Sequence, residues 1–268
     1  MNIGDFLQAA TRMLTAAGIQ TARLDTLVLL SDTLGQDKAA ILAHPEQVLS
    51  SKQLKHLDTQ IAQRAKHTPL AYIRGKAMFY GREFIVSPAV LTPRPETESI
   101  IELLLGLSLP PEAQIADIGT GSGCIGLTVA LELPRAHVDL YDIDEAALKI
   151  ASQNNSVLKA GANVIKNDLL STITRHYDVI VSNLPYVPVG FPVNKAAEQE
   201  PAIALFSGVD GLDLYRKFWT QIGRSEDKPQ FVITESFPSQ HHTLAMLARH
   251  AGFALENSQG FVQLFSRM

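Results

Sequence analysis

From about residue 110 to the C-terminus, short β-prone runs alternate with helical stretches, and few folds accept that alternation. Candidate strands are Ile115–Ile118, Val138–Tyr141, Val164–Lys166, Val179–Ser182 and Phe231–Glu235. Helical stretches at about 124–132, 145–158, 211–223 and 239–251 lie between them. A strand that returns to the same sheet through a helix lies parallel to its predecessor, so the pattern predicts a doubly wound parallel sheet. Two further runs, Phe253–Glu256 and Phe261–Phe265, sit close together around Gly260 and predict an antiparallel hairpin at one edge. The expected core is therefore an α/β, Rossmann-like sheet of seven strands.

The first strand runs into Ile115-Ala116-Asp117-Ile118-Gly119-Thr120-Gly121-Ser122-Gly123. Glycines let the backbone turn tightly and approach a ligand, and the helix start that follows offers free N–H groups. Asp142 stands at the end of the second candidate strand, where a carboxylate can accept both ribose hydroxyls of a nucleoside. To this point a dinucleotide fits as well, because Gly121-x-Gly123-x-x-Gly126 satisfies its glycine pattern. Three further features favour S-adenosyl-L-methionine. Asp117 can take the cationic amino group of a methionine moiety, and Asn167-Asp168 can hydrogen-bond an adenine amino group. The third is Asn183-Leu184-Pro185-Tyr186, at the strand edge where ligands bind in such sheets. Each acid has an ordinary alternative as a helix cap or a solvated loop carboxylate. The expected cofactor contacts are Asp117, Gly119, Thr120, Gly121, Gly123, Asp142, Asp168 and Asn183.

Asn183, Leu184, Pro185 and Tyr186 are the candidate catalytic residues. The Asn183 side-chain oxygen can accept one hydrogen bond and the Leu184 carbonyl a second, while Pro185 stiffens the turn and Tyr186 offers a flat face for stacking. Two acceptors and a platform suit an NH2 group held with its lone pair directed outward. An ordinary strand-to-loop turn would use the same residue types.

Upstream, residues 1–75 read as three or four short amphipathic helices, with Phe6, Leu7, Ala10, Met13 and Leu14 on one face of the first. Residues 76–95 read as a β-hairpin linker that ends in an extended segment where two prolines flank Arg94 and forbid a helix. Residues 96–268 carry the α/β domain. Between Lys52 and Arg82 seven basic residues meet only Asp58, which is either a solvated face or a docking surface for an acidic partner or RNA. The chain as a whole carries a net charge of −4, so a stable nucleic-acid partner is not expected. No signal peptide follows Met1, no apolar run approaches ~20 residues, and Cys124 is the single cysteine, so a cytoplasmic protein without disulfide or metal is expected.

The sheet pattern and glycine loop resemble the class I S-adenosylmethionine-dependent methyltransferases. Nearly the whole chain resembles the PrmC/HemK family, which methylates the glutamine of the Gly-Gly-Gln motif in peptide-chain release factors. The resemblance rests on Ala22-Arg23-Leu24-Asp25, Pro69-Leu70-Ala71-Tyr72-Ile73-Arg74-Gly75, the glycine loop, and Gly208-Val209-Asp210-Gly211-Leu212-Asp213-Leu214-Tyr215-Arg216. Leu91-Thr92-Pro93-Arg94-Pro95-Glu96-Thr97-Glu98 and Glu200-Pro201-Ala202-Ile203-Ala204-Leu205 are its most specific segments, because generic methyltransferases lack both. The resemblance implies methyl transfer to a glutamine side-chain amide nitrogen, release factors as partners, and a helical N-terminal domain that helps hold them; a monomer is expected. Two departures stand out. Leu184 replaces the first proline of the usual Asn-Pro-Pro-Tyr, and Asn257-Ser258-Gln259-Gly260-Phe261-Val262-Gln263 lacks the usual arginine. Asn-Leu-Pro-Tyr is the form found in rRNA adenine dimethylases, so the exocyclic amine of adenine in rRNA or DNA is the alternative substrate. A binding protein that keeps the fold without activity is a third reading.

Overall fold

The computed structural model describes all residues 1–268 and resolves into two compact units. The first comprises Met1–Gly75 with residues 193–199. Its helices are α1 (Ile3–Ala16), α2 (Ala22–Leu34), α3 (Lys38–Ala43), α4 (Ser51–Ala65) and α5 (Leu70–Arg74). Local chemistry sets their ends. Asn2 and Asp37 accept from the first turns of α1 and α3, and Ser50 with Gln53 forms a reciprocal capping box on α4. Ile3, Phe6, Leu14, Leu29, Leu30, Leu57 and Ile61 make the core. Arg64 donates to the buried Asp25 at 2.7 Å and Arg74 to Asp32 at 2.5 Å. Gln199 Nε2 donates to the Lys66 carbonyl at 2.7 Å, which fastens the returning segment.

The second unit holds Lys76–Pro192 and Glu200–Met268. It opens with the antiparallel hairpin β1 (Lys76–Phe79) and β2 (Arg82–Ile85). Tyr80 and Gly81 both have positive φ, the conformation that matches a two-residue turn to the twist of its strands. Lys76 pairs with Glu83 and Arg82 with Glu132. The basic stretch thus has acidic neighbours that only folding supplies.

The main sheet has seven strands, as the alternation predicts: β3 (Gln114–Ile118), β4 (His137–Asp142), β5 (Asn163–Lys166), β6 (Val179–Ser182), β7 (Phe231–Glu235), β8 (Phe253–Gln259) and β9 (Val262–Arg267), ordered β5-β4-β3-β6-β7-β9-β8. The first five are parallel, and β9 runs antiparallel to β7 and β8. β8 outruns its expected end because backbone pairing continues through the exposed polar Asn257, Ser258 and Gln259, where hydrophobic alternation has stopped, and β9 outruns its own through Ser266 and Arg267, which pair with Ala254 and Phe253. α6 (Glu98–Leu105) and α7 (Cys124–Glu132) join one core with Ile115, Leu140, Val179 and Ile233, to which Ala151 of α8 (Glu145–Leu158) adds. The one-turn α9 (Ala202–Leu205) is too short to read from periodicity. Its successors α10 (Asp213–Arg224) and α11 (His241–His250) carry Tyr215, Phe218, Trp219, Ile222 and Leu244 into the second core. No helix is long and apolar enough to cross a membrane.

The chain steps from β3 outward to β4 and β5, then returns to β6 on the other side of β3. Connections leave the carboxyl ends of β3 and β6 in opposite directions, which opens a crevice between them.

Candidate active site

The crevice is a cavity of about 290 Å³. Gly119, Thr120 and Gly121 line it beyond β3, Asp142 at the end of β4, Asp168 beyond β5, and Asn183, Leu184 and Pro185 beyond β6. Leu91 to Arg94, Thr97, and Ile203 with Ala204 complete the wall, so the two most family-specific sequence segments meet at one opening. Arg94 and the buried Glu200 form an ion pair that joins those segments. Asp117, Gly123 and Tyr186 are not on the wall.

The glycine loop hangs from the neighbouring strand. Gly119 and Thr120 N–H groups both donate to the Tyr141 carbonyl, at 2.8 and 2.9 Å. Asp142 accepts from Gly121 N–H at 2.9 Å and Asp144 N–H at 3.0 Å, which aims its carboxylate along the wall. Burial raises its pKa, and those backbone bonds oppose the rise. Gly126 allows α7 to close on the sheet, since a Cβ there would lie 2.1 Å from Leu140 Cδ2. A carboxylate between backbone donors, open glycine backbone, and the apolar flanks of Val90, Ile125, Ile143 and Leu169 fit a cationic nucleoside with a hydroxylated ribose.

Two expected contacts differ. Asp117 is fully buried under the loop, where Oδ2 accepts from Thr120 Oγ1 at 2.6 Å and Gly126 N–H at 2.9 Å. Oδ2 thus fastens the loop, while Oδ1 is buried without a partner. Burial pushes its pKa from 3.8 to about 6, with the Asp142 charge adding to the rise. Asn167 spends its side chain on its own loop, donating to the Leu169 carbonyl and accepting from Thr172 and Ser171. Asp168 remains on the wall, paired with Lys217 at 2.5 Å.

On the opposite wall, Ser182 Oγ ties β6 to the Ile118 carbonyl at 2.8 Å. Asn183 gives its amide nitrogen to Thr97 Oγ1 at 3.2 Å, which leaves its oxygen for a donor in the cavity. Leu184 is buried, and a Cβ on Gly119 would lie 2.9 Å from its Cδ2, so the leucine packs directly on the glycine loop. Its N–H, a donor that proline would lack, meets the Tyr215 hydroxyl at 3.3 Å. Tyr186 is not an open stacking platform. Its hydroxyl donates to Glu235 at 2.9 Å, and its ring stands edge-on to Phe237, 79° apart with centroids at 5.0 Å. A phenol hydroxyl in a dry site keeps its hydrogen bond, and that bond turns the ring away from the cavity.

Sequence reasoning missed Thr97, Glu235 and Asn154. Asn154 accepts from Ile85 N–H and donates to the Ile85 and Ser122 carbonyls, which joins β2 to the glycine loop. The only sequence signal for Glu235 was an acid ending a strand that otherwise reads as apolar.

Residues 5–75 match the family model of the PrmC N-terminal domain, and residues 99–199 that of the methyltransferase small domain. A release factor glutamine methyltransferase of Koribacter versatilis is 40% identical over 230 residues, covering 83% of this chain and 81% of the relative. Relatives of the same name from Mycolicibacterium smegmatis (37% over 263 residues, 91% and 92% covered) and Bacillus subtilis (34% over 244 residues, 87% and 84% covered) also match. Among solved structures, the hMettl16 catalytic domain in complex with an RNA hairpin is similar with a TM-score of 0.56 at 14% identity, covering 78% of this chain and 81% of that one. A T. thermophilus 16S rRNA methyltransferase in complex with AdoMet and guanosine has a TM-score of 0.53 at 20% identity, covering 72% and 49%. Those likenesses show a shared methyltransferase fold and nothing about the substrate.

Proposed function

This chain belongs to the release factor glutamine methyltransferase family, and on that premise we propose that it transfers a methyl group from S-adenosyl-L-methionine to the glutamine side-chain amide nitrogen in the Gly-Gly-Gln motif of peptide-chain release factors. The observation that carries the reading is one cavity with Asp142 and the glycine loop on one side and Asn183-Leu184-Pro185 on the other. The relatives do not favour the adenine alternative, since they are named for glutamine methylation.

When bound, the cofactor supplies a methyl carbon on a positively charged sulfur, which takes up the bonding electrons as nitrogen displaces it. Asp142 would accept from the ribose hydroxyls, Gly119, Thr120 and Gly121 would bring backbone close to the ligand, and Gly123, off the wall, turns the loop into α7. Asp168 serves the adenine amino group, and Asp117 acts through the loop it fastens. Asn183 Oδ1 accepts one hydrogen of the substrate NH2 and the Leu184 carbonyl the other, which aims the nitrogen lone pair across the cavity. Positioning of that kind is worth ~7–11 kcal/mol of a barrier. The two acceptors also favour positive charge growing on nitrogen, which is relieved when the proton leaves to solvent. Pro185 holds the turn and Tyr186 braces it from behind.

In the same reading, residues 1–75 recognise the release factor, residues 76–95 link, and residues 96–268 carry the chemistry. The protein acts as a cytoplasmic monomer without a stable nucleic-acid partner. The test is transfer of labelled methyl into purified release factor, with the modified residue located by mass spectrometry and a Gln→Ala substrate as control. Label in the Gly-Gly-Gln glutamine supports the reading; label in rRNA instead overturns it.

A further inference from the structure

We propose that Glu235, together with Thr97, fixes which end of the Asn183 side-chain amide faces the substrate, and so acts as a positioning residue for methyl transfer. The inference rests on the reading above, in which Asn183 Oδ1 accepts from the glutamine NH2.

An asparagine amide has nearly the same shape in either orientation, and hydrogen bonding decides which end carries the oxygen. Only one orientation serves an NH2 substrate, because the reverse would set donor against donor. The deciding contacts lie behind Asn183. β7 lies beside β6 with Thr234 opposite Ser182, so Glu235 and Asn183 leave the sheet side by side. Glu235 is 1% exposed and Thr97 2% exposed. Glu235 is not on the cavity wall, whereas Thr97 and Asn183 are.

The carboxylate end of this cluster has a fixed polarity. Tyr186 donates to Oε1, and Oε2 is buried without a partner of good hydrogen-bond geometry. The Thr97, Tyr186 and Asn183 side chains all favour the charged form. An ionised carboxylate can only accept, so groups turned toward it must donate. Thr97 can satisfy that demand with its hydroxyl hydrogen while its lone pair takes the Asn183 Nδ2–H at 3.2 Å. Reversing the Asn183 amide would place its oxygen against a hydroxyl whose one hydrogen is drawn to the carboxylate. It would also leave the carboxylate one donor poorer in a dry site, where an unpaired polar group is costly. The oxygen is thereby directed to the cavity.

Protonation would remove the polarity, since a carboxylic acid can also donate. Burial raises the Glu235 pKa, Thr97, Tyr186 and Asn183 oppose the rise, and Glu96 in the turn before α6 adds to it. The other titratable groups that face Glu235 are Tyr186, Tyr215 of α10 and Cys124 of α7, whose own pKa values burial raises. They stay neutral across the working pH range, so an acid limb in turnover belongs to the carboxylates.

The test measures kcat and its pH profile on purified release factor, with cofactor Kd by calorimetry, for Glu235→Gln, Thr97→Val, Thr97→Ser and Asn183→Ala in the full chain. Glu235→Gln keeps the volume but can donate as well as accept. It is expected to lower kcat about tenfold or more, to leave cofactor Kd unchanged, and to weaken the acid limb of the wild type. Thr97→Val is expected to match it, and Thr97→Ser to retain most of the turnover. Asn183→Ala is expected to bind cofactor and transfer nothing. Wild-type kcat in Glu235→Gln beside an inactive Asn183→Ala overturns this inference alone, whereas an active Asn183→Ala overturns the reading beneath it. Should Glu235→Gln fail to fold, the threonine pair decides, and equal turnover of Val and Ser overturns the positioning role.

Discussion

At the scale of single residues, the site shows how one chemical type is put to different uses by burial. Asp117, Asp142 and Glu235 stand at the carboxyl ends of β3, β4 and β7 and Asp168 just past β5, and none has the same surroundings. Asp117 is sealed below the loop, Asp142 is aimed along the wall by two backbone donors, Asp168 is half exposed beside Lys217, and Glu235 stands behind the substrate turn. Of these, Asp142 has the charge-assisted acceptors that a ribose needs. Asp142→Ala should weaken S-adenosyl-L-methionine binding by ~1.5–3 kcal/mol, about tenfold or more in Kd, read by titration calorimetry. An unchanged Kd would reassign that carboxylate. Leu184, the departure from the usual Asn-Pro-Pro-Tyr, is absorbed at the same scale. Its side chain fills the space over Gly119, and Tyr215 receives its extra N–H.

At the scale of elements, a short hairpin and a helix support the glycine loop from behind. β1 and β2 are only four residues each, too short to be stable without packing. Asn154 of α8 substitutes for a neighbouring strand by closing both backbone groups of Ile85, then reaches the Ser122 carbonyl in the loop. Asn154 is 1% exposed, so its removal would leave three backbone groups unsatisfied in a dry site. Asn154→Ala should destabilise the protein by about 2–4 kcal/mol in urea unfolding and also raise cofactor Kd, because the loop loses an anchor. A variant destabilised with cofactor affinity intact would show that the hairpin and the loop are mechanically independent.

At the scale of the whole molecule, several carboxylates are buried with raised pKa values, and that sets the direction of its pH dependence. Asp117 has a folded pKa of about 6 against 3.8 ordinarily. Between those values the folded state binds a proton that the unfolded state does not, so its contribution is complete below 3.8 and is lost as pH rises through 6. The difference corresponds to about 3 kcal/mol at most. His176, raised chiefly by its hydrogen bond to Asp227, acts in the same sense, its contribution being lost as pH rises through its elevated pKa. The ligand-free protein should therefore resist urea better at about pH 5.5 than at about pH 7.5, and Asp117→Asn should flatten that difference. Lower stability at the acid end in wild type would contradict the burial assigned to Asp117.

The strand-helix alternation, the glycine turn and the polar residues Asp142, Asp168 and Asn183 at strand ends were legible because they depend on local backbone rules and residue spacing. With them came the sheet, the location of the ligand crevice, and the assembly of Asp142, Asp168 and Asn183 on it. The segments around Arg94 and Glu200 could be read as diagnostic, yet only the folded chain joins them as an ion pair across 106 residues. The basic stretch after Lys52 found Asp25, Asp32, Glu83 and Glu132, none of them within that stretch. The same limit applies to side-chain direction at the site. Sequence named Asp117 and Tyr186 but could not tell that one lies under the loop and the other turns its ring to Phe237. It also had no means of placing Glu235 and Thr97 behind Asn183. Spacing along the chain fixes which residues share a sheet edge; which way a polar side chain points depends on what long-range packing leaves unsatisfied around it.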